Sequence, residues 1–234
     1  MATLRSALPT PVPTHSLVEQ IALRLADDIV TGVYLPGERL KEQDIAARFG
    51  TSRAPLREAF RLLERDGLIR MMPWRGVCVT DYTRDEVREL FEIRADLLAM
   101  CVQRIVVQGD PAQLAAVRAA IDGLSALTEA GGDERDYKQA TAALSAMLSE
   151  MTGNRYLHRL VTDFRQRLLW YYCFLGQSTI ERRRESNRLW GDMLAAMERR
   201  DAWAAAAAAQ HVTMATAAFA LQLADARVAR QSMA

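Results

Sequence analysis

The sequence predicts a mainly α protein: an N-terminal winged helix-turn-helix followed by an antiparallel bundle of six or seven helices. Three observations predict it. Residues 36–69 read as helix, tight turn, helix, and the second helix carries an arginine stripe beside an apolar one. Two short β-prone runs come next, joined by a turn. From Thr83 onward the pattern is helical, with no convincing strand.

The elements follow in order. Residues 1–15, with Pro9, Pro11 and Pro13, read as a flexible arm. Ser16 and Glu19 have capping-box spacing and open a helix whose apolar residues Ile21, Leu25 and Ile29 recur every four positions, ending near Gly32. Pro36-Gly37 makes a turn, and Glu42 to Phe49 form a short second helix stopped by Gly50. Ser52 is expected to cap the third helix through its hydroxyl, and Gly67 ends that helix. Leu68–Met72 and Val77–Thr80 are the β-prone runs, joined by Pro73-Trp74-Arg75-Gly76, so the winged domain spans 16–80.

On the third helix Ala59, Phe60 and Leu63 fall within about 60° of Leu56 at the helical period, and the four face a core. Arg53, Arg57 and Arg61 climb the adjoining flank. A helix with one buried face and guanidinium groups beside it suits a DNA major groove, because arginine bonds guanine bidentately and meets phosphate with its charge. The competing reading is a solvated helix whose arginines pair with Glu58 and Glu64. Arg75 and Gly76 form the wing tip, where glycine lets the backbone approach and the arginine reaches phosphate or minor groove.

These residues carry a resemblance. Gly32-Val33-Tyr34-Leu35-Pro36-Gly37-Glu38-Arg39-Leu40, Ser52-Arg53-Ala54-Pro55-Leu56-Arg57-Glu58-Ala59 and Asp66-Gly67-Leu68-Ile69 resemble the GntR family of bacterial transcription regulators over residues 16–80. The resemblance implies that Arg39, Arg53, Arg57 and the wing at Arg75–Gly76 contact an operator, with Ser52 and Ala54 beside them. Lys41 departs from the family's Ser or Thr at the second helix's cap. Lysine cannot accept from an N–H, which weakens that cap by about 1 kcal/mol and turns the residue toward phosphate.

Composition bounds the rest. The chain has 234 residues, enough for two domains, and a net charge of +1. Up to Thr80 there are 11 Lys and Arg against 9 Asp and Glu. DNA binding would then depend on placed arginines and on dimerisation, not on a bulk field. Cys78, Cys101 and Cys173 are widely spaced and offer no disulfide framework, which fits a reducing cytoplasm. No signal core is visible, and no stretch approaches the ~18 apolar residues of a membrane span.

Residues 81–234 read as the all-helical domain. Thr83 and Glu86 have capping-box spacing, and helices are predicted to about Gln108, to about Glu129, and over 134–151, 154–176, 179–200 and 202–229. The layout, beginning at Asp85-Glu86-Val87-Arg88-Glu89-Leu90-Phe91-Glu92-Ile93-Arg94, resembles the ligand-sensing domain of the FadR branch. That resemblance implies effector binding and dimerisation. Arg94 lies at the centre of a stripe formed by Val87, Leu90, Phe91, Leu97, Leu98, Cys101 and Ile105. A guanidinium among leucines is expensive unless an anion or several hydrogen bonds answer it. That anion is either an effector's carboxylate or phosphate or an internal partner, with Glu150 and Asp192 as candidates.

Many members of that branch hold a divalent metal with an Asp and a His four residues apart and two later His. Here the matching positions are Thr141 and Ser145, then Leu189 or Trp190, leaving only His211. One imidazole makes no metal site. The reading is therefore no metal and no cofactor, with Arg94, Thr141, Ser145, Asn187, Trp190 and His211 facing a medium-sized organic anion.

The expected function is a cytoplasmic, homodimeric DNA-binding regulator, a repressor released from a pseudo-palindromic operator by a small organic anion. The alternative is a low-specificity architectural DNA binder without an effector. An enzyme has less support, since no paired-carboxylate motif, nucleophile elbow, P-loop or HExxH is present.

Overall fold

The computed structural model describes residues 16–30, 32–72, 76–163 and 177–231. The first domain is three helices and a small sheet: α1 Leu17–Val30, α2 Glu42–Arg48 and α3 Arg53–Arg65, with β1 Arg39–Leu40, β2 Ile69–Met72 and β3 Gly76–Val79. The second is helical: α4 Arg84–Gln108, α5 Pro111–Glu129, α6 Glu134–Met151, α7 Arg155–Asp163, α8 Ile180–Glu198 and α9 Ala202–Gln231. The mainly α architecture is as expected. The arm at 1–15, Arg75 at the wing tip, Cys173 and the stretch 164–176 lie outside the described residues.

Helix starts follow the sequence signals at two of the three expected side-chain caps. Glu19 N donates to Ser16 Oγ at 3.3 Å while Ser16 N donates to the Glu19 carboxylate at 2.8 Å. The second box is Thr83 with Glu86, at 3.2 Å and 2.7 Å. Ser52 is the exception. It occupies the N-cap of α3 but makes no side-chain cap hydrogen bond. Lys41 caps α2 with none either, as its chemistry requires.

The sheet has one strand more than the sequence suggested. Arg39 and Leu40 pair antiparallel with Cys78 and Val77, so the order is β1-β3-β2. Two residues are too short to show an alternating period. β2 and β3 pair from Ile69 opposite Val79 to Met72 opposite Gly76.

Leu25, Ile29, Ile45, Leu56, Phe60, Leu63 and Ile69 fill the first core. The core does not stop at residue 80. Val87 and Phe91 of α4 and Ala217, Ala220 and Leu221 of α9 belong to the same cluster. Burying a side chain of this size contributes about 1.5–3 kcal/mol, so the winged domain is docked on the bundle by apolar surface. An exposed pair, Arg135 of α6 with Asp27 of α1 at 3.0 Å, lies across the same junction. A second core, with Leu98, Val102, Val117, Leu124, Leu144, Leu148 and Met193, holds the bundle together.

α9 runs against α4 and α8. Ala205 and Ala209 are fully buried there, and their small side chains allow the close approach that an alanine-rich helix permits. Its stretch Ala202–Leu223 is long and apolar enough, by length and composition, to cross a membrane, which the sequence reading had not credited to any stretch. In the fold one face of that stretch packs on α4 and α8, and 44% of its apolar window is buried.

Candidate functional site

Two regions gather the polar residues singled out by the sequence. The first is the outer face of the winged domain. Leu56, Ala59, Phe60 and Leu63 are all buried against the core, which turns Arg53, Arg57 and Arg61 to the surface. Arg57 Nε donates to the Glu42 carboxylate at 3.1 Å and 3.3 Å, which fixes the guanidinium through one edge. Arg61 Nη1 donates to Glu58 at 2.9 Å, the pairing the solvated-face reading foresaw. Both pairs are exposed and weak, so a phosphate or base edge can replace the carboxylate.

Gly76 has φ +79°, a conformation that favours glycine, and its α-carbon faces the Arg39 guanidinium. A β-carbon there would lie 3.6 Å from Arg39 Nε and Nη2. The β1–β3 pairing thus brings Arg39 beside the wing strand. Lys41, Ser52 and Ala54 are exposed on the helix-turn-helix around α2 and α3. Uncapped N–H groups at the start of α3, flanked by guanidinium groups, suit a phosphate.

The second region is a cavity inside the bundle. Arg94 of α4, Thr141 and Ser145 of α6, Trp190 of α8 and Val212, Thr213 and Thr216 of α9 line it, with Gln177 just before α8. It is tight, with a volume of about 10 Å3, room for about one water. Four of the six expected effector residues, Arg94, Thr141, Ser145 and Trp190, therefore share one cavity. The other two lie elsewhere. His211 is exposed on α9 and Asn187 bridges helices, accepting from Tyr137 Oη at 2.7 Å and donating to Thr128 at 3.0 Å. The helical period explains the miss at His211: its neighbours Val212 and Thr213 take the inward positions.

Arg94 is 8 % exposed. Among the described residues its guanidinium has neither hydrogen-bond nor ion-pair partner; its contact is the Phe91 ring, 5.8 Å from carbon to centroid. Neither proposed internal carboxylate reaches it. Glu150 is exposed, and Asp192 pairs with Arg188 at 3.0 Å. The Trp190 indole N–H, also in the cavity wall, has no hydrogen-bond partner among the described residues either. The sequence reading missed Gln177, Thr213 and Thr216. It also missed Arg182, which is 2 % exposed and donates to Thr216 Oγ1 at 3.2 Å from behind the wall. Burial pulls its pKa below the usual arginine value, with Glu185 opposing that shift. The signal for the threonines was present: Thr213 and Thr216 interrupt a helix otherwise rich in alanine.

No group of three His, Cys, Asp or Glu side chains able to hold a metal occurs among the described residues. Cavity and helix-turn-helix have matching family models. Residues 17–79 match bacterial regulatory proteins of the gntR family, and residues 89–214 match the FCD domain. The chain belongs to the FCD-domain proteins over its helical part and carries a gntR-type regulatory domain at residues 17–79. Members of this family are DNA-binding transcriptional regulators, and the FCD domain is their effector-binding module.

Relatives agree with that assignment. The chain is 28% identical over 179 residues to the uncharacterized HTH-type transcriptional regulator YdhC of Bacillus subtilis (strain 168), covering 76% of this chain and 78% of that protein. It is 41% identical over 76 residues to the HTH-type transcriptional repressor RspR of Escherichia coli (strain K12), covering 32% of this chain and 33% of that one. The fold is similar to that of the E. coli protein McbR/YncC, with a TM-score of 0.69 at 21% identity over 90% of this chain and 99% of that one.

Proposed function

We propose that this gntR-type regulator belongs to the FadR branch and acts as a homodimeric repressor, released from a pseudo-palindromic operator by a small organic anion. The observation that carries the effector half is Arg94. A guanidinium this buried, with no carboxylate among the described residues, is expensive to keep unless an anion arrives to answer it. The cavity as it stands has room for about one water, so the anion enters as the surrounding helices move apart.

On the DNA side, α3 lies in the major groove in this reading, with Arg53 and Arg57 on base edges and Arg61, Lys41 and Arg39 on phosphate. Ser52 and Ala54 sit beside them, and Arg75 with Gly76 forms the wing contact. Two protomers, each reading one half-site, account for specificity from a chain of nearly neutral charge. An exposed apolar set on the bundle, Ile93, Met100 and Val107 of α4 with Tyr156 and Leu160 of α7, supports dimerisation there. A reducing cytoplasm is the compartment this reading requires, and the buried Cys78 and Cys101 are both free thiols.

The test is selection of genomic fragments by the purified protein, followed by fluorescence anisotropy on the enriched site with and without organic acids. A palindromic site weakened 5–150-fold by one acid, in the wild type but not in Arg94→Ala, is the expected result. Salt-dependent binding without sequence preference, unmoved by any acid, would overturn it in favour of an architectural binder.

A further inference from the structure

The outer edge of β2 is met by α3. Glu64 Oε1 accepts from the Met71 backbone N–H at 2.9 Å. Strand register explains why that N–H can reach the helix. Thr80 N donates to Leu68 O at 2.9 Å, and the ladder then runs from Ile69 opposite Val79 to Met72 opposite Gly76. Residues of an antiparallel pair alternate between exchanging hydrogen bonds and facing away. The Leu68–Thr80 bond sets the phase, so Arg70 and Met72 turn their backbone groups to β3 while Met71 turns its own outward. β3 agrees: Val79, opposite Ile69, spends its N–H on Glu38 O at 2.9 Å, on the side of β1. In the order β1-β3-β2, β2 is an edge, and the helix carboxylate takes the hydrogen bond that a further strand would take. Among the described residues Glu64 makes no ion pair, unlike Glu42 and Glu58, which hold Arg57 and Arg61.

We infer that Glu64 is a positioning residue that fixes the wing against α3. This rests on the reading of α3 and the wing as the two DNA-contacting elements. The wing is a strand pair reached from α3 through Asp66, Gly67 and Leu68. β3 is held on its far side by β1, through Arg39 and Leu40 opposite Cys78 and Val77. β2 is held on its far side by Glu64, one residue before the strand ends. A carboxylate on a backbone N–H makes a charge-assisted bond, stronger than a neutral one. It joins the helix that enters the major groove to the strand that leads into the wing turn. Both contacts are then offered to DNA at one offset, and the wing does not have to be ordered on binding. The donor is backbone, so the bond asks only for a side chain of glutamate's length that ends in an accepting oxygen. A negative charge beside DNA brings nothing by itself, since phosphate repels it.

Charge and bond therefore predict different results in two variants. Removal of charge alone would leave Glu64→Gln and Glu64→Ala alike, both at or above wild-type affinity. If Glu64 holds the wing, Glu64→Gln keeps the bond through its amide oxygen and Glu64→Ala loses it. The test is fluorescence anisotropy of the full-length protein on its selected operator. Hydroxyl-radical footprinting of minor-groove sugars and dimethyl sulfate protection of guanine N7 in the major groove accompany it. Glu64→Ala should bind about five- to tenfold more weakly, the loss of one hydrogen bond, with sugar protection lost and N7 protection kept. Glu64→Gln should stay within about twofold of wild type with both protections in place, because its oxygen accepts the same bond. Glu64 is exposed and both replacements are good helix formers, so each variant should keep the native circular dichroism. Wild-type affinity in Glu64→Ala, equal loss in both variants, or loss of N7 protection along with the sugars would overturn the positioning role and leave the DNA-contacting reading standing. A wild-type complex that protects N7 but no minor-groove sugar would overturn the wing as a contact, and this inference with it.

Discussion

Arg94 and Phe91 connect the cavity to the DNA-reading head. The guanidinium sits 5.8 Å from the Phe91 ring centroid, one helical turn away on α4. Phe91 is fully buried in the core that α4 and α9 share with α1, α3 and the sheet. A buried guanidinium lining the cavity thus rests on a side chain that packs in the core joining the winged domain to the bundle. The two residues form a short physical route by which occupancy of the cavity can bias the placement of the head.

The first prediction concerns Arg94 itself. Arg94→Ala should weaken effector binding by about 10–100-fold, the value of a charge-assisted hydrogen bond or two, while leaving operator affinity in the absence of effector unchanged. Arg94→Lys should recover part of the affinity at most, because an ammonium lacks the planar fork that a carboxylate meets bidentately. Calorimetry on both variants reads this directly. Full recovery in the lysine variant would mean that charge alone, without fork geometry, holds the anion.

Phe91→Leu is the matching test of the route. Shortening a buried aromatic leaves a partial void, so stability should fall by about 1–3 kcal/mol, seen as a lower urea midpoint. The informative quantity is the ratio of operator affinities with and without effector. It should shrink toward one even at effector concentrations that saturate the cavity. A variant that is destabilised yet keeps the full ratio would remove Phe91 from the coupling.

The sequence displayed the reading head more fully than the cavity, for physical reasons. α3 advertises itself because its buried stripe and its arginine flank lie on one helix and repeat at a single period. The Thr83 capping box is equally local and was equally visible. The cavity has no such locality: Arg94, Thr141, Trp190 and Thr213 come from four helices that only tertiary packing brings together. Arg94 could be found from one helix, since it breaks an apolar stripe. Whether Glu150 or Asp192 answered it depended on helix rotation, which the sequence alone does not set. Ser52 shows a smaller limit. Its position as N-cap was readable, but the side-chain rotamer that leaves the cap bond unmade was not.

Cys101 gives a pH-dependent prediction. It is completely buried, and desolvation pushes its thiol pKa from 9.0 up to about 12, with Arg104 opposing the shift. The folded chain therefore holds its proton between pH 9 and 12 while the unfolded chain releases it. Stability from this group is fully present below pH 9 and falls as pH rises toward 12. The same burial keeps the thiolate from forming at neutral pH, so native protein at pH 8 should leave Cys101 unlabelled by iodoacetamide until urea is added. Peptide mass spectrometry resolves the site, and rapid labelling without denaturant would show that α4 opens locally.

The arginines of α3 should separate by what each one holds in the free protein. Arg57 is tied to Glu42 through Nε alone, which leaves both terminal nitrogens to face a guanine edge. Arg57→Ala should then cost about 1–3 kcal/mol on the cognate site, with discrimination lost at one base pair. Arg53→Ala should behave in the same way at a neighbouring position. Arg61 lies further from the helix start and pairs with Glu58, so it is expected on phosphate. Arg61→Ala should weaken all sequences alike and lower the slope of log affinity against log salt by about 1. Anisotropy titrations at several salt concentrations, on the selected site and on single-base variants, distinguish these patterns. If Arg57→Ala lowered the salt slope without relaxing any base preference, Glu42 would be holding a phosphate contact and not a reader. The variants should still elute as wild type on size exclusion, because all three side chains are exposed and none supports the core.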